Sequence, residues 1–119
     1  MAKRDISFAS FNLLNLQLPG EAVYGDSDGW SQEVYAKKVE FTAQTLARLS
    51  ADVVGLQELW APAAAEEALE KAGLADSHMV LAPPDHPGDR IVCAAIVRKD
   101  LLADDPLWIT EFPDALVLK

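Results

Sequence analysis

The sequence contains a single cysteine, Cys93, so no disulfide can form within the chain. Cys93 lies inside an apolar run, and we expect its thiol to act as a small buried hydrophobic group. No apolar run reaches the about 20 residues that a membrane-spanning helix needs. The basic N-terminus precedes a stretch interrupted by Ser7 and Ser10, which is too short and too polar for a signal peptide. These absences predict a protein without a membrane span, and the cytoplasm is the expected compartment.

Positive charge is also scarce, because 10 Lys and Arg residues stand against 19 Asp and Glu residues, for a net charge of -9. This balance does not favour a nucleic acid as partner, since phosphate contacts dominate the affinity of proteins for nucleic acids. It is compatible with a divalent cation that brings a phosphorylated substrate with it. The sequence also lacks a phosphate loop, a paired-cysteine metal motif, a nucleophile elbow and a basic stripe.

The main positive feature is the run DVVGLQE at residues 52–58, which is apolar until it ends in an amide and a carboxylate. Such a run is typical of a strand buried on both faces. An unpaired buried charge is costly, so Glu58 either reaches water or is held by a metal, a cation or hydrogen-bond donors. Half of the 119 residues are apolar, which predicts one globular unit around this strand.

The segments before this run predict a strand, a long loop and a helix. Residues 6–11 alternate with period two and are followed at once by Asn12, and residues 21–29 have loop composition. Ser31 is a plausible N-cap of an amphipathic helix with the apolar stripe Tyr35, Val39, Thr42, Leu46 and Leu49. If the two flanking strands are parallel, Asn12 and Glu58 lie at the same edge of the sheet, where open α/β sheets usually bind ligands.

The rest of the chain predicts further elements of an α/β (α+β) fold. Pro62 begins a short, Ala-rich helix over 63–72 that we expect to be peripheral. Residues 77–82, 90–98 and 107–112 are predicted strands, and 90–98 is expected to lie in the interior of the sheet. A new apolar run begins at 115. We therefore expect residues 1–119 to be the N-terminal portion of one domain that continues beyond them.

Glu58 and Asn12 are the candidate site residues. Glu58 offers a hard oxygen ligand, which suits Mg²⁺, and Asn12 offers a side-chain carbonyl for the ion or an amide for a phosphoryl oxygen. Gln57 should point to the opposite face of the strand and support the site or the fold. The alternative is that Asn12 and Glu58 merely end their strands and face water, and spacing alone favours that alternative.

Other polar and aromatic residues have weaker claims. Histidine as a residue type suits acid-base catalysis, but His78 and His86 have no patterned partner, so structural or surface roles are expected. Four aspartates are expected to be turn residues: Asp26, Asp28, Asp85 and Asp89. Trp30 and Tyr24 form either a stacking wall for a substrate or, as the composition favours, anchors of the core and loop.

Three blocks taken together resemble the endonuclease/exonuclease/phosphatase superfamily. They are ISFASFNL at 6–13, Tyr35-x-x-Lys38 on the helix, and ADVVGLQEL at 51–59, with a loose match at 88–97. The resemblance implies a four-layer α/β/β/α sandwich, with a mixed sheet and helices on its outer face. It further implies hydrolysis of phosphodiesters or phosphomonoesters by water, assisted by Mg²⁺ or alternatively Mn²⁺. By position, Asn12 resembles the active-site asparagine and Glu58 the metal-binding glutamate, with Gln57 beside it.

The chain also departs from this family. The Asp-x-Asn segment is absent, and the single Asp-His pair, Asp85-His86, comes too early and in a Pro-rich loop. The chain would supply one sheet, whose inner face must be covered by a missing C-terminal half, another chain or self-association. We therefore expect no appreciable phosphodiesterase activity from this chain alone. The alternative function is a catalytically inert binding or assembly module that keeps the fold.

Overall fold

The described residues form a mixed four-stranded sheet with two α-helices, an α+β fold. The computed structural model describes residues 4–25, 28–84 and 88–108. The strand order is β1-β2-β4-β3, in which β1 is parallel to β2 and β4 is antiparallel to both of its neighbours. In chain order the elements are β1 (Phe8–Leu16), α1 (Gln32–Leu49), β2 (Val53–Leu59), α2 (Pro62–Lys71), β3 (His78–Leu81), β4 (Val92–Arg98) and a short 3-10 helix (Lys99–Leu101).

The strand-helix-strand unit at the start of the chain follows the local sequence closely. Helix α1 begins where the Ser31 hydroxyl accepts a hydrogen bond from the Val34 amide at 3.2 Å, and it ends at Ser50, whose backbone is left-handed. The predicted stripe is buried at Tyr35, Val39, Thr42 and Leu46, whereas Leu49 is partly exposed. The two strands are parallel, which meets the condition for Asn12 and Glu58 to lie at the same edge of the sheet.

The core lies between the helices and one face of the sheet. Leu56, Leu59 and Leu16 on the strands and Val39 on α1 are at most 1% exposed. Burying a side chain of this size stabilises the fold by about 1.5–3 kcal/mol. Because Leu16 and Leu59 are aligned at the carboxyl ends of β1 and β2, the core supports that edge of the sheet directly.

The opposite face of the sheet is largely uncovered by the described residues, and this corrects two expectations. Residues of β2 alternate between buried and half-buried, so this strand is not buried on both faces. Cys93 is exposed, so its predicted burial is wrong. Both helices pack on the face that carries Val54 and Leu56, and β4 turns Cys93 the other way.

Helix α2 is not peripheral as expected. Its alanines Ala64 and Ala68 are fully buried, because residues without long side chains let the helix approach the sheet and α1 closely. Burial of Tyr35 on α1, together with the Glu67 carboxylate on α2, raises the pKa of the Tyr35 hydroxyl. The described helices include none that is long and apolar enough to cross a membrane.

Two predicted segments near the C-terminus lie partly or wholly outside the described residues. Of the predicted strand 107–112, only residues 107 and 108 are described, and they form no strand. Leu107 is 86% exposed, and it lines a pocket with Cys93 and Ala95 at the uncovered face. Residues 109–112 and the apolar run at 115 lie outside the described residues.

The amino-terminal edge of the sheet holds a compact ionic cluster around Asp52. Its carboxylate accepts hydrogen bonds from the Ser7 amide at 3.0 Å and the Ser7 hydroxyl at 3.3 Å. Arg4 and Arg98 approach the same carboxylate at 3.5 and 3.8 Å. The Ser7 amide, followed by Arg4 and Arg98, holds the pKa of Asp52 below its usual value, against the opposing effect of burial.

Candidate functional site

The carboxyl ends of β1 and β2 carry an irregular backbone. The two strands pair in register from Phe8 with Val53 to Asn12 with Gln57, and the register then shifts before Leu16 meets Leu59. Inside this irregular stretch Leu14, Asn15 and Glu58 have φ of 53°, 60° and 60°. A left-handed conformation costs a residue other than glycine about 1–2 kcal/mol. Such strain clusters at functional sites, so this edge is the primary candidate.

Asn12 stands at the last position before the irregular stretch of β1. Its side chain is exposed, and its Oδ1 accepts a hydrogen bond from the Leu14 amide at 2.9 Å. This local bond helps to turn the backbone into the left-handed residues that follow. One lone pair of Oδ1 and the NH2 group remain for a ligand. The structure thus places Asn12 at the predicted edge of the sheet with its amide accessible.

Glu58 follows Gln57, the register partner of Asn12 on β2, and its backbone departs from strand geometry. Its residue is half-buried, and within the described part of the chain its carboxylate makes no hydrogen bond. The nearby Lys38 ammonium is its charged neighbour. A half-buried carboxylate without hydrogen-bond donors is an incomplete arrangement that a cation would complete.

Lys38 on α1 is a site residue whose role was not predicted from its position in the helix. Its ammonium donates to the Leu14 carbonyl at 2.7 Å and lies 4.7 Å from the centre of the Trp30 ring. Burial lowers the pKa of Lys38, and the Glu58 carboxylate opposes that shift. The Tyr35-x-x-Lys38 spacing was the available signal, since it places a buried anchor one turn before the lysine.

Gln57 lies on the face of the sheet that carries Ser10. Its Oε1 accepts a hydrogen bond from the Ser10 hydroxyl at 3.3 Å on the uncovered face, which joins β1 and β2. This contact gives Gln57 a role in holding the strands together. Its predicted support of the metal site stays a prediction.

A layer of aromatic side chains borders the candidate site through Asn15. The Asn15 carbonyl accepts from Trp30 Nε1 at 2.8 Å, and its side-chain oxygen accepts from Trp60 Nε1 at 3.1 Å. Tyr24 meets Trp60 edge to face, with ring centroids 5.3 Å apart. Sequence reasoning missed Asn15 and Trp60, although the repeated asparagine after the strand and the tryptophan after Gln-Glu-Leu were visible signals.

Gln17 is a second residue that the sequence reasoning missed, and it positions the loops around the site. Its residue is 1% exposed, and its NH2 group donates to the carbonyls of Ala22 at 3.1 Å and Gly88 at 2.8 Å. Its Oε1 accepts from the Leu18 amide at 3.0 Å. A buried amide that satisfies three backbone groups fixes two loops to the end of β1. The isolated glutamine after an apolar strand was its signal.

The remaining sequence candidates lie elsewhere. His78 is buried at the other edge of the sheet, where its Nε2 lies 3.2 Å from the Ala51 carbonyl and its Nδ1 lies 2.7 Å from the Ser77 hydroxyl. This satisfied ring has the structural role expected for it. Asp28 lines a pocket beside Tyr24, and Asp89 is exposed. Three candidates lie outside the described residues: Asp26, Asp85 and His86.

The donor set fits a metal ion that shares its ligands with water and substrate. No group of three or more His, Cys, Asp or Glu residues capable of holding a metal occurs among the residues described. Glu58 and Asn12 nevertheless present hard oxygen donors from adjacent strands. Mg²⁺ is commonly bound by one or two carboxylates together with waters and substrate phosphate. The arrangement therefore suits Mg²⁺ bound with a phosphorylated ligand and does not form a closed protein cage.

Comparison with protein-family models, with curated proteins and with solved structures finds no match for this chain.

Proposed function

We propose that Asn12 and Glu58 form the metal- and phosphate-binding side of a site for Mg²⁺-dependent hydrolysis of phosphoester bonds. The observation that carries this proposal is the position of both side chains at the ends of adjacent parallel strands, where both backbones leave strand geometry. Ligands of open α/β sheets bind at this edge. The substrate class is a phosphodiester or a phosphomonoester.

Each residue of the edge has a distinct role in this proposal. The Glu58 carboxylate holds the cation, and the Asn12 amide binds a phosphoryl oxygen or completes the cation's ligands. When bound, Mg²⁺ neutralises charge on the phosphoryl oxygens and on the leaving oxygen. Lys38, fixed by the Leu14 carbonyl and the Trp30 ring, adds a positive charge beside Glu58 and favours an anionic ligand at this edge.

The described residues at this edge include no histidine that would serve as general base. His78 is buried at the amino-terminal edge, next to Ala51. We therefore expect the 119-residue chain to bind Mg²⁺ without hydrolysing an activated phosphodiester. Hydrolysis would need groups supplied from elsewhere, such as another half of the domain or another chain. Mg²⁺-dependent hydrolysis by this chain, abolished in Glu58→Ala, would show that the site is complete without them.

Magnesium binding at Glu58 can be measured directly by NMR. We expect Mg²⁺ titration of the ¹⁵N-labelled chain, with inorganic phosphate present, to shift the amide signals of Asn12, Asn15 and Glu58. Glu58→Gln should abolish these shifts, because it removes the charged ligand and keeps the side-chain shape. Glu66→Gln, which alters an exposed carboxylate on α2, is the matched control and should leave them unchanged. Shifts that persist in Glu58→Gln would refute the assignment.

The inert binding module is the second candidate, and one observation favours it. The described residues contain no group of three or more His, Cys, Asp or Glu side chains that could hold a metal, and two-metal chemistry needs more ligands than Glu58 and Asn12 supply. The module predicts no Mg²⁺-dependent shifts at Asn12 and Glu58, with or without phosphate. The same titration therefore separates the two functions.

A further inference from the structure

A pocket beside the candidate site has the features of a small-ligand site. Its volume is about 330 Å³, and it is lined by Asn15, Val23, Tyr24, Asp28, Gly29 and Trp30. This volume is at the lower end of the range for small-molecule sites, about 300–1,000 Å³. The pocket therefore suits one ring system.

The aromatic wall of the pocket is held in place. Tyr24 is 62% exposed, yet its ring is fixed edge to face against Trp60, and its backbone adopts φ of 58°. The Trp30 ring is fixed by its hydrogen bond to the Asn15 carbonyl and by Lys38 over its face. A strained, exposed and immobilised tyrosine is more than a loop anchor needs, since burial would fix it at lower cost.

The loop that carries Tyr24 is closed at its base. The Gly20 amide donates to the Trp30 carbonyl at 2.9 Å, and the Glu21 amide donates to the Leu18 carbonyl at 3.2 Å. Gly29 has φ of 75°, and a Cβ at this position would collide with the Glu21 carbonyl. The pocket is thus preorganised by backbone contacts, which reduces the entropy lost on binding.

Asn15 and Asp28 give the pocket a hydrogen-bond donor and an acceptor. Trp60 Nε1 can only donate, so the Asn15 side chain must turn its oxygen toward Trp60. Its NH2 group then points away from Trp60, and no acceptor for it occurs among the described residues. The Asp28 carboxylate can only accept when ionised. Together these groups complement a ring that presents an amino group beside a ring nitrogen, the edge of adenine or cytosine.

We propose that this pocket binds the amino-bearing heteroaromatic base of a nucleoside phosphate, an inference that rests on the phosphoester site proposed beside it. Trp30 forms part of the pocket wall and also contacts Lys38, which adjoins Glu58. A base stacked in the pocket would therefore direct its phosphate toward Lys38 and Glu58. The net charge of -9 favours a mononucleotide or dinucleotide over a long nucleic acid.

Adenosine is the probe that tests the pocket independently of phosphate and metal. We expect it to shift the NMR signals of the Trp30 indole and the Asn15 side-chain amide. Tyr24→Leu should weaken its binding about tenfold, because a base stacked on an aromatic ring loses that contact. Asp28→Asn should also weaken it about tenfold, through loss of a charge-assisted hydrogen bond. Tyr24→Phe, which keeps the ring, and Phe41→Leu, an exposed aromatic on α1, should bind like the wild type.

A comparison of adenosine with adenosine 5′-monophosphate distinguishes failure of the base pocket from failure of the proposed phosphoester site. Adenosine should bind Glu58→Gln normally, whereas the additional affinity of adenosine 5′-monophosphate with Mg²⁺ should be lost in that variant. Mg²⁺ and phosphate binding at Glu58 without any adenosine shifts would overturn the base pocket and leave the phosphoester site standing. Adenosine binding without the Glu58-dependent gain would support the pocket and refute its link to that site.

Phosphocholine tests the competing ligand class, because aromatic rings and a carboxylate also suit a quaternary ammonium. The Asn15 NH2 group disfavours a cation, so we expect phosphocholine to cause no Tyr24-dependent shifts. If phosphocholine binds in a Tyr24-dependent manner and adenosine does not, the base assignment is overturned. Equal adenosine binding by wild type and Tyr24→Leu would overturn it as well.

Discussion

The two ends of strand β2 carry carboxylates with different surroundings, Asp52 just before the strand and Glu58 near its carboxyl end. Asp52 at its amino-terminal edge accepts from the Ser7 amide and hydroxyl and is approached by Arg4 and Arg98. Glu58 near the other end has no hydrogen bond among the described residues and one neighbouring cation, Lys38. The Asp52 carboxylate is already occupied by hydrogen bonds and ion pairs within the fold. The second retains its binding capacity, which is the property expected of a ligand-binding group.

The backbone shows the same contrast between the two edges. From Phe8 to Asn12 the pairing with β2 is regular, whereas Leu14, Asn15 and Glu58 adopt left-handed conformations beyond it. Strained backbone persists only where the surroundings hold it. Here the buried Leu16 and Leu59 and the Asn15 contacts with two tryptophans provide that support. The edge with binding capacity is thus the one with a strained backbone, and the buried core beneath it holds that backbone in place.

Removing the support under the carboxyl edge should have the largest effect. Leu59→Ala deletes most of a fully buried side chain, and we expect the free energy of unfolding to fall by about 2–5 kcal/mol. Urea unfolding monitored by circular dichroism measures this loss. Leu14→Ala alters an exposed leucine at the same edge and should change stability by no more than about 0.5 kcal/mol. Equal losses in the two variants would mean that the core does not support this edge.

Alanine substitution of the two glycines in the loop that carries Tyr24 should destabilise the protein to different extents. Gly29→Ala introduces a Cβ that collides with the Glu21 carbonyl, so we expect a loss of about 1–3 kcal/mol. Gly25→Ala is the matched control, because Gly25 also has positive φ but has open space around its Cα. Gly25→Ala should lower the free energy of unfolding by only about 1 kcal/mol, the cost of a left-handed backbone alone. Thermal unfolding compares them, and a costlier Gly25 variant would contradict the described loop closure.

The Asp52 cluster predicts that the free energy of unfolding depends on pH. The folded-state pKa of Asp52 is lowered from 3.8, chiefly by the Ser7 amide, so its ionised form stabilises the native state. That stabilisation is present above the unfolded pKa and disappears as the pH falls through the folded pKa. Asp52→Asn should therefore be less stable than the wild type at pH 7, and the difference should vanish in strong acid.

Chemical denaturation from pH 7 down to pH 2 measures the Asp52 contribution. A difference between Asp52→Asn and wild type that grows as the pH falls would contradict the assignment.

Relieving the backbone strain at Glu58 should produce the smallest change in the free energy of unfolding. Unlike the other substitutions, it should increase stability. Glu58→Gly removes the penalty of a left-handed backbone, partly offset by the greater entropy of unfolded glycine. We expect a gain of about 0.5–1 kcal/mol over Glu58→Gln, together with loss of Mg²⁺ binding. Paired urea unfolding curves check this. A loss of stability in the glycine variant would show that the Glu58 conformation is not strained.

Much of the fold follows from local sequence signals. Ser31, the stripe on α1 and the alternation in residues 6–11 predict their elements because capping and hydrophobic periodicity act over a few residues. The exposure of Cys93 and the burial of α2 could not be predicted in this way. They depend on which face of the sheet the helices cover and on how closely alanines allow them to approach, and both are set by tertiary packing.

The candidate site was predicted in part. The parallel strands bring Asn12 and Glu58 to one edge because a single helix connects them. Asn15 and Trp60 escaped prediction because their contacts join residues 45 positions apart and need a left-handed turn after Asn12. Lys38 likewise reaches the Leu14 carbonyl across the space between helix and sheet.

Manganese line broadening tests the difference between the two carboxylates most directly. Mn²⁺ added at low molar ratio with phosphate should broaden the NMR signals of Asn12, Asn15 and Glu58 and spare those of Ser7 and Asp52. Glu58→Gln should abolish the selective broadening, and Asp52→Asn should retain it. Broadening centred on Asp52, or broadening near Asn12 that survives in Glu58→Gln, would contradict a metal-binding role for Glu58.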